Sequence, residues 1–192
     1  MSAASSDNEH LPEDWANAVL DFWFDELEPV DWFKKSDLND EKIRSRFLSI
    51  HDQLSNTAVD ALLDSSREAL AAIIVLDQFP RNLFRGDPRS FATDAQARAI
   101  SEAAIDAGFD QGMSVDESVF LYLPFEHSED LADQDRCVQL IEALGNDNYT
   151  QYAKAHRDVI AKFGRFPHRN QVLGRPSTPE EEAYLAQPGS GF

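Results

Sequence analysis

Apolar residues recur every three or four positions along most of the chain, which is the spacing of one helical face. Stripes of this kind lie over residues 15–23, 43–54, 119–123, 131–144 and 149–163. Residues 67–79 are apolar on nearly every side, which is typical of a buried central helix, and we expect Pro80 to end it. No stretch alternates apolar and polar residues with enough β-branched side chains for a sheet. The pattern therefore predicts an all-α fold.

Local signals mark where several predicted helices begin and end. Gly164 fits the position just after the 149–163 helix, and Pro124 is expected to end or kink its own segment. Thr178, Pro179 and Glu181 fit the N-cap, first helical position and capping-box position of a last short helix. Another helix, ended by Gly108, is expected to pack through a face of small residues: Ala92, Ala95, Ala99, Ala103 and Ala107.

The length of 192 residues fits one domain with a core of its own. We expect a single all-α domain over residues 11–192 and a disordered tail over residues 1–10. The opening residues lack the basic and apolar segments of a signal peptide, and the longest apolar run is residues 69–76. That run is far shorter than the ~20 residues that cross a bilayer. A cytoplasmic location is therefore expected.

Acidic residues outnumber basic ones by 35 to 17, which gives a net charge of −18. Such a charge repels phosphate backbones and anionic lipids, so we expect neither nucleic acid nor a membrane as partner. The single cysteine, Cys137, excludes an internal disulfide framework. The chain has no phosphate loop, dinucleotide motif, nucleophile elbow or helical pair of metal ligands, so no cofactor and no metal are predicted.

Two polar clusters carry candidate chemistry. In the first, Asp77 follows six apolar residues and precedes Arg81 by one helical turn, so the carboxylate is expected to be buried with a partner. In the second, His127 lies between Glu126 and Glu129, the usual composition of a general acid–base site. Both clusters have a structural alternative, in which the side chains lock helix ends together.

Two further features lie in the last third of the chain. His156 falls on the apolar stripe of its helix, where a hydrogen-bonded core histidine is the common case. Residues 159–176 contain four cations and no acid, namely Lys162, Arg165, Arg169 and Arg175. These cations could clamp a carboxylate or phosphate, and pairing with the many acids of this chain is the alternative.

Three long motifs, LDQFPRNLFRG, YLPFEHSED and HRDVIAKFGRFPHRNQVLGRPSTPEEE, resemble those of the bacterial family called domain of unknown function 924. The resemblance runs from about Trp15 to Leu185. It implies packed antiparallel helical hairpins, similar to a tetratricopeptide-like superhelix, and leaves the activity unsettled. The polar motif residues that it carries over are Asp77, Gln78, Arg81, Asn82, Glu126, His127, Ser128, Glu129, His156, Arg165, His168, Arg169, Asn170 and Arg175.

Three functions are compatible with these residues. The first is binding of a small anionic metabolite in a polar pocket lined by the residues Asp77, Arg81, Asn82, Glu129, Arg165, His168, Arg169, Asn170 and Arg175. The second is a metal-independent hydrolase or transferase in which His127 or His156 acts with Glu126 in acid–base catalysis. The third is a protein-interaction scaffold, by analogy with tetratricopeptide-like folds. The sequence leaves a protein partner or a homo-oligomer open.

Overall fold

The computed structural model describes residues 11–191, so the predicted tail over residues 1–10 lies outside the described part. Within residues 11–191 the regular structure is helical and no β-strand occurs, which confirms the all-α prediction. The α-helices are α1 (Trp15–Leu20), α2 (Pro29–Trp32), α3 (Asp37–Leu54), α4 (Ser66–Ile73), α5 (Phe79–Leu83), α6 (Asp94–Asp106), α7 (Val115–Glu126), α8 (Leu131–Ala143), α9 (Asp147–Phe163) and α10 (Pro179–Leu185). Short 3₁₀ turns lie at Val59–Leu62, Pro88–Phe91 and Pro167–Arg169.

Helix α4 lies at the centre of the fold, as its uniformly apolar sequence predicts. Residues 69–76 are all buried, and α4 packs against α1, α6 and α7. Beyond it, Phe79 lies among three aromatic side chains, with its ring centroid 5.1 Å from that of Phe47, 5.7 Å from Trp23 and 6.2 Å from Phe22. Burial of these large apolar surfaces is the main stabilising contribution to the fold.

The second half of the chain forms consecutive helical hairpins. Helix α7 packs against α8, and α8 packs against α9. Only residues 127–130 and 144–146 join these helices, and such short connections make neighbouring helices antiparallel. The tetratricopeptide-like superhelix implied by the resemblance stays a prediction.

The prediction that Pro80 ends the central helix is wrong. The chain continues from α4 through a π-helical segment, Ile74–Gln78, into α5, which ends at Leu83. Proline has no N–H to donate to the carbonyl four residues earlier, which is that of Leu76. The hydroxyl of Thr93 donates to this carbonyl instead, at 2.5 Å, so the helix passes the proline without leaving a buried acceptor unsatisfied.

Other helix ends depend on local chemistry. Gly164 follows α9 with a φ of 68°, and Thr178 and Glu181 form the predicted capping box of α10. The predicted small-residue face of α6 is wrong, because the buried side chains of that helix are Ala97, Ile100, Ser101 and Ala104. Helix α7 runs past Pro124 to Glu126. Within the described residues, no helix has both the length and the apolar character needed to cross a membrane.

We expect Phe79→Ala to lower the free energy of unfolding by about 3–5 kcal/mol, because it leaves a cavity among three aromatic rings. Tyr152→Ala is the matched control: Tyr152 is 56% exposed on α9, so its truncation should change stability by less than about 0.5 kcal/mol. Urea unfolding followed by circular dichroism measures both values. Equal losses in the two variants would contradict the central position assigned to Phe79.

Candidate functional site

Asp77 is a fully buried carboxylate in the middle of the central helical run. It belongs to the π-helical segment Ile74–Gln78, a type of helical irregularity that is frequent at functional sites. The Nδ1 atom of His127 lies 2.8 Å and 2.9 Å from its two oxygens, and the side-chain amide of Gln78 also donates to it. Arg81, one turn later, lies 3.6 Å away. Asp77 is therefore buried together with partners, as the sequence predicts, and His127 is one of them.

The charges around Asp77 and His127 determine the protonation state of each residue. Burial raises the pKa of Asp77, but the positive charge of Arg81 and the hydrogen bonds from His127 and Gln78 outweigh burial, so the pKa lies below its usual range. Burial and the neighbouring Arg81 lower the pKa of His127. A neutral imidazole therefore donates its Nδ1 hydrogen to an ionised Asp77, and Nε2 keeps its lone pair.

Two arginines meet at Asp94, at the start of α6. Arg81 donates to both oxygens of Asp94, at 3.1 Å and 3.2 Å, and Arg169 donates to one of them at 3.2 Å. Arg169 also donates to the backbone carbonyl of His127 at 3.0 Å. The segment after α9 thus reaches the Asp77–His127 pair through Arg169.

The Arg169 guanidinium is held between aromatic rings, 4.5 Å from the Phe91 centroid and 4.7 Å from that of Phe166. Burial and the positive charge of Arg81 together lower its pKa to about 10, although Asp94 acts in the opposite direction. Among the described residues its buried Nε atom has no hydrogen-bond partner. Arg169 therefore keeps one donor that no described residue uses.

Glu126 and His156 form a second buried pair beside the first. The Glu126 carboxyl lies 3.3 Å from His156 Nδ1, which donates to the Tyr152 carbonyl at 2.9 Å. Burial, together with the negative charge of Asp77, raises the pKa of Glu126 to about 8. Burial lowers the pKa of His156 to about 3. At neutral pH both groups are therefore predominantly uncharged, and the His156 ring centroid lies 6.4 Å from that of His127.

The other motif cations are ion-paired along the C-terminal segment. Arg165 binds both oxygens of Glu181, at 2.6 Å and 2.8 Å, and Arg175 binds both oxygens of Glu129, at 2.6 Å and 2.9 Å. Asn170 links the two pairs, since it donates to Glu181 and accepts from Arg175. This arrangement is the internal pairing that the sequence left open, and it fixes α10 against the segment after α9.

The remaining sequence-predicted residues lie around these groups. Asn82 donates to Asp40 at 2.7 Å. Burial lowers the pKa of His168 to about 4, and its ring lies 5.5 Å from that of Phe166. In the described part of the chain, no three His, Cys, Asp or Glu side chains are arranged to hold a metal ion.

The sequence predicts that Glu126 lies beside His127 or His156. In the structure Glu126 is paired with His156, whereas His127 is paired with Asp77. Sequence reasoning also missed Asp94, which joins the two arginines, and the rings of Phe91 and Phe166 that enclose Arg169. The only sequence signal for Asp94 is its position at the start of a helix. Asp94 lies 13 positions from Arg81 and 75 positions from Arg169, and no local sequence pattern identifies partners at such separations.

A family model described as a bacterial protein of unknown function, DUF924, matches residues 19–189. The chain belongs to the DUF924 family. A solved structure, that of the protein of unknown function ATU0120 from Agrobacterium tumefaciens, is similar with 43% sequence identity and a TM-score of 0.84. The match covers 89% of this chain and 96% of that chain. No curated protein matches the chain. The fold is thus shared with this DUF924 relative, and the similarity itself identifies no reaction or ligand.

We expect the stability of this DUF924 protein to fall by about 1–2 kcal/mol between pH 6.5 and 8 because of Glu126. Its pKa is about 8 in the folded chain against an ordinary 4.5, so the folded state holds a proton that the unfolded state releases. Raising the pH through this window therefore favours unfolding. The lowered histidine pKa values act with the opposite sign, but below pH 6.5.

Denaturant unfolding at several pH values tests this dependence, with Glu126→Gln as the variant that removes the titrating group. The variant should show a flat profile between pH 6.5 and 8. The same slope in both proteins would mean that another group holds the proton.

Arg165→Ala should release α10 from the segment after α9, because it leaves the buried Glu181 carboxylate without the guanidinium that binds both of its oxygens. Lys162→Ala is the matched control, since the Lys162–Glu180 pair is exposed. Hydrogen exchange followed by mass spectrometry should show faster exchange over residues 178–185 in Arg165→Ala only. Unchanged exchange in Arg165→Ala would argue that this pair is dispensable and open its guanidinium to a ligand role.

Proposed function

We propose that this DUF924 protein is an acid–base enzyme, a metal-independent hydrolase or group transferase that acts on a small anionic metabolite, with His127 as general base. The observation that carries the proposal is the distance of 2.8 Å between His127 Nδ1 and a fully buried Asp77 carboxylate. A carboxylate in this position fixes the tautomer and the orientation of the imidazole, so that Nε2 becomes the proton acceptor.

The environment favours this role over a purely structural one. His127 is neutral at physiological pH because burial and Arg81 lower its pKa, and a general base must be unprotonated. Its side chain keeps 15% of its surface exposed, whereas that of Asp77 keeps none. A reactant can therefore reach His127 but not Asp77.

In the proposed reaction, Nε2 takes a proton from water or from an acceptor hydroxyl while the oxygen attacks an electrophilic carbon or phosphorus of the substrate. The leaving group departs with its bonding electrons and recovers a proton from His127. Arg81 and Arg169 lie close enough to this pair to stabilise developing negative charge, and Arg169 has an unused Nε donor. Glu126 and His156 are the other predicted catalytic residues, and Glu126 holds a buried proton at neutral pH, with the His156 ring centroid 6.4 Å from that of His127.

Simple binding of an anionic metabolite is the second candidate, and it uses Arg81 and Arg169 in the same place. The ion pairs of Arg165 with Glu181 and of Arg175 with Glu129 favour the enzyme over this candidate, since they leave fewer cations for a clamp. The scaffold candidate is supported by three exposed apolar side chains that lie close together in the sequence, Val30, Phe33 and Leu38. An enzyme differs from both in requiring a reactive His127.

Diethyl pyrocarbonate acylates the unprotonated nitrogen of accessible histidines and so probes His127 directly. With Nδ1 bound to Asp77, we expect acylation at Nε2 of His127 at pH 7, detected by peptide mass spectrometry. His156, which is buried, should react much more slowly and serves as the internal control. Failure of His127 to react in the folded protein would contradict the proposed role.

The catalytic prediction is tested with p-nitrophenyl acetate and p-nitrophenyl phosphate as generic acyl and phosphoryl probes. For whichever probe is hydrolysed, His127→Gln should lower kcat/KM by about 100-fold or more, the usual contribution of a general base. Asp77→Asn should lower kcat while the protein stays folded by circular dichroism. Lys154→Gln, which removes one partner of an exposed ion pair with Glu142, is the control and should leave the rate unchanged. Equal rates for His127→Gln and the control would exclude His127 as the base.

A further inference from the structure

A cleft of about 570 Å³ lies on a different part of the molecule, between α3 and the segment over residues 83–93. None of Asp77, Arg81, His127 and Arg169 lines it. On the α3 side it is lined by Arg44, Leu48 and His51, which are spaced four and three residues apart and therefore share one helical face. Its volume is within the usual range for sites that bind small molecules.

Three arginines and two aspartates line this cleft, whereas the chain as a whole has a net charge of −18. Arg85 and Arg89 belong to the lining and are ion-paired with Asp40 and Asp87. Arg44 differs from them: within residues 11–191 no carboxylate lies within 4.0 Å of its guanidinium, and its one described hydrogen bond, of 2.6 Å, goes to the Leu83 carbonyl. In so acidic a protein an arginine without a carboxylate partner has remaining capacity for an external anion.

His51 supplies a second, independent observation. The residue is only 7% exposed, and its Nε2 atom is buried without a hydrogen-bond partner among the described residues. Its Nδ1 faces Asp52 at 3.2 Å, so the ring orientation is already fixed. Native proteins rarely leave a buried polar atom unsatisfied, and a bound ligand is one way of satisfying it.

We infer that this cleft is a binding site for a small molecule that carries an oxyanion, a phosphate or a carboxylate. Arg44 binds the charged oxygens through the guanidinium N–H groups that the Leu83 carbonyl leaves free. Because the Nδ1–H of His51 donates to Asp52, its Nε2 accepts a hydrogen bond from a hydroxyl of the same ligand, such as the P–OH of monohydrogen phosphate. Phe84, whose ring centroid lies 5.3 Å from that of His51, forms part of the apolar lining. The site is separate from the proposed reaction at His127 and does not depend on it.

The test uses inorganic phosphate and succinate as probes, titrated at low ionic strength into the ¹⁵N-labelled protein. We expect saturable shifts of the Arg44 Nε–H and His51 imidazole signals with at least one probe, and the stronger probe identifies the preferred oxyanion. Arg44→Gln, an exposed substitution that should not disturb folding, is expected to weaken this binding by about tenfold, the loss of one charge-assisted pair.

Arg67→Gln is the matched control. Arg67 also lacks a carboxylate partner in the described chain, but it binds the Asn17 side chain and does not line the cleft. It should leave the affinity unchanged, and so should His127→Gln, which separates this inference from the proposed function. Absence of saturation with both probes, or an equal loss in Arg44→Gln and Arg67→Gln, would overturn the inference.

Discussion

The arrangement of the site depends on the burial of one carboxylate, that of Asp77, in the centre of the fold. A buried carboxylate without compensation is strongly destabilising, so the chain must bring donors to it. Gln78 and Arg81 come from the same helical run, whereas His127 comes from the end of α7. Arg81 then joins Asp94 and Arg169. One charge thus constrains how α5, α6, α7 and the segment after α9 meet.

The excess of acids explains why the cations of this protein have such different surroundings. Most arginines find a carboxylate, as Arg165 and Arg175 do, and these two pairs join the end of the chain to the hairpins. An ion pair of this kind leaves little capacity for a ligand. Within residues 11–191, Arg169 Nε and His51 Nε2 have no hydrogen-bond partner, and Arg44 lies in the same cleft as His51 without a carboxylate partner, so these positions retain capacity for a ligand. Charge count alone does not distinguish these positions, because only the fold decides which carboxylates are within reach.

The sequence was informative where structure is determined locally. Helical periodicity, the capping box at Thr178 and the turn at Gly164 depend on neighbouring residues, and the structure confirms them. Asp77 was expected to be buried with a partner, but that partner lies 50 residues away, and no local pattern identifies it. The helix passes Pro80 for the same kind of reason, since the hydroxyl that satisfies the freed carbonyl comes from Thr93, which is distant in the sequence. The sequence therefore does not predict the hydrogen bonds between residues that are distant along the chain.

The segment over residues 83–94 separates the two candidate sites and contributes to both. Phe91 lies against Arg81 and Arg169, whereas Phe84 and Arg89 line the cleft beside α3. Two buried hydrogen bonds anchor this segment: Ser90 donates to the Phe84 carbonyl within the segment, and Thr93 donates to the Leu76 carbonyl, one residue before Asp77, which joins the segment to the central helical run. Because these anchors are buried, they fix the segment in a single arrangement. The cleft and the Asp77–His127 pair are consequently held in a constant relation, which is the preorganisation that binding and acid–base chemistry both require.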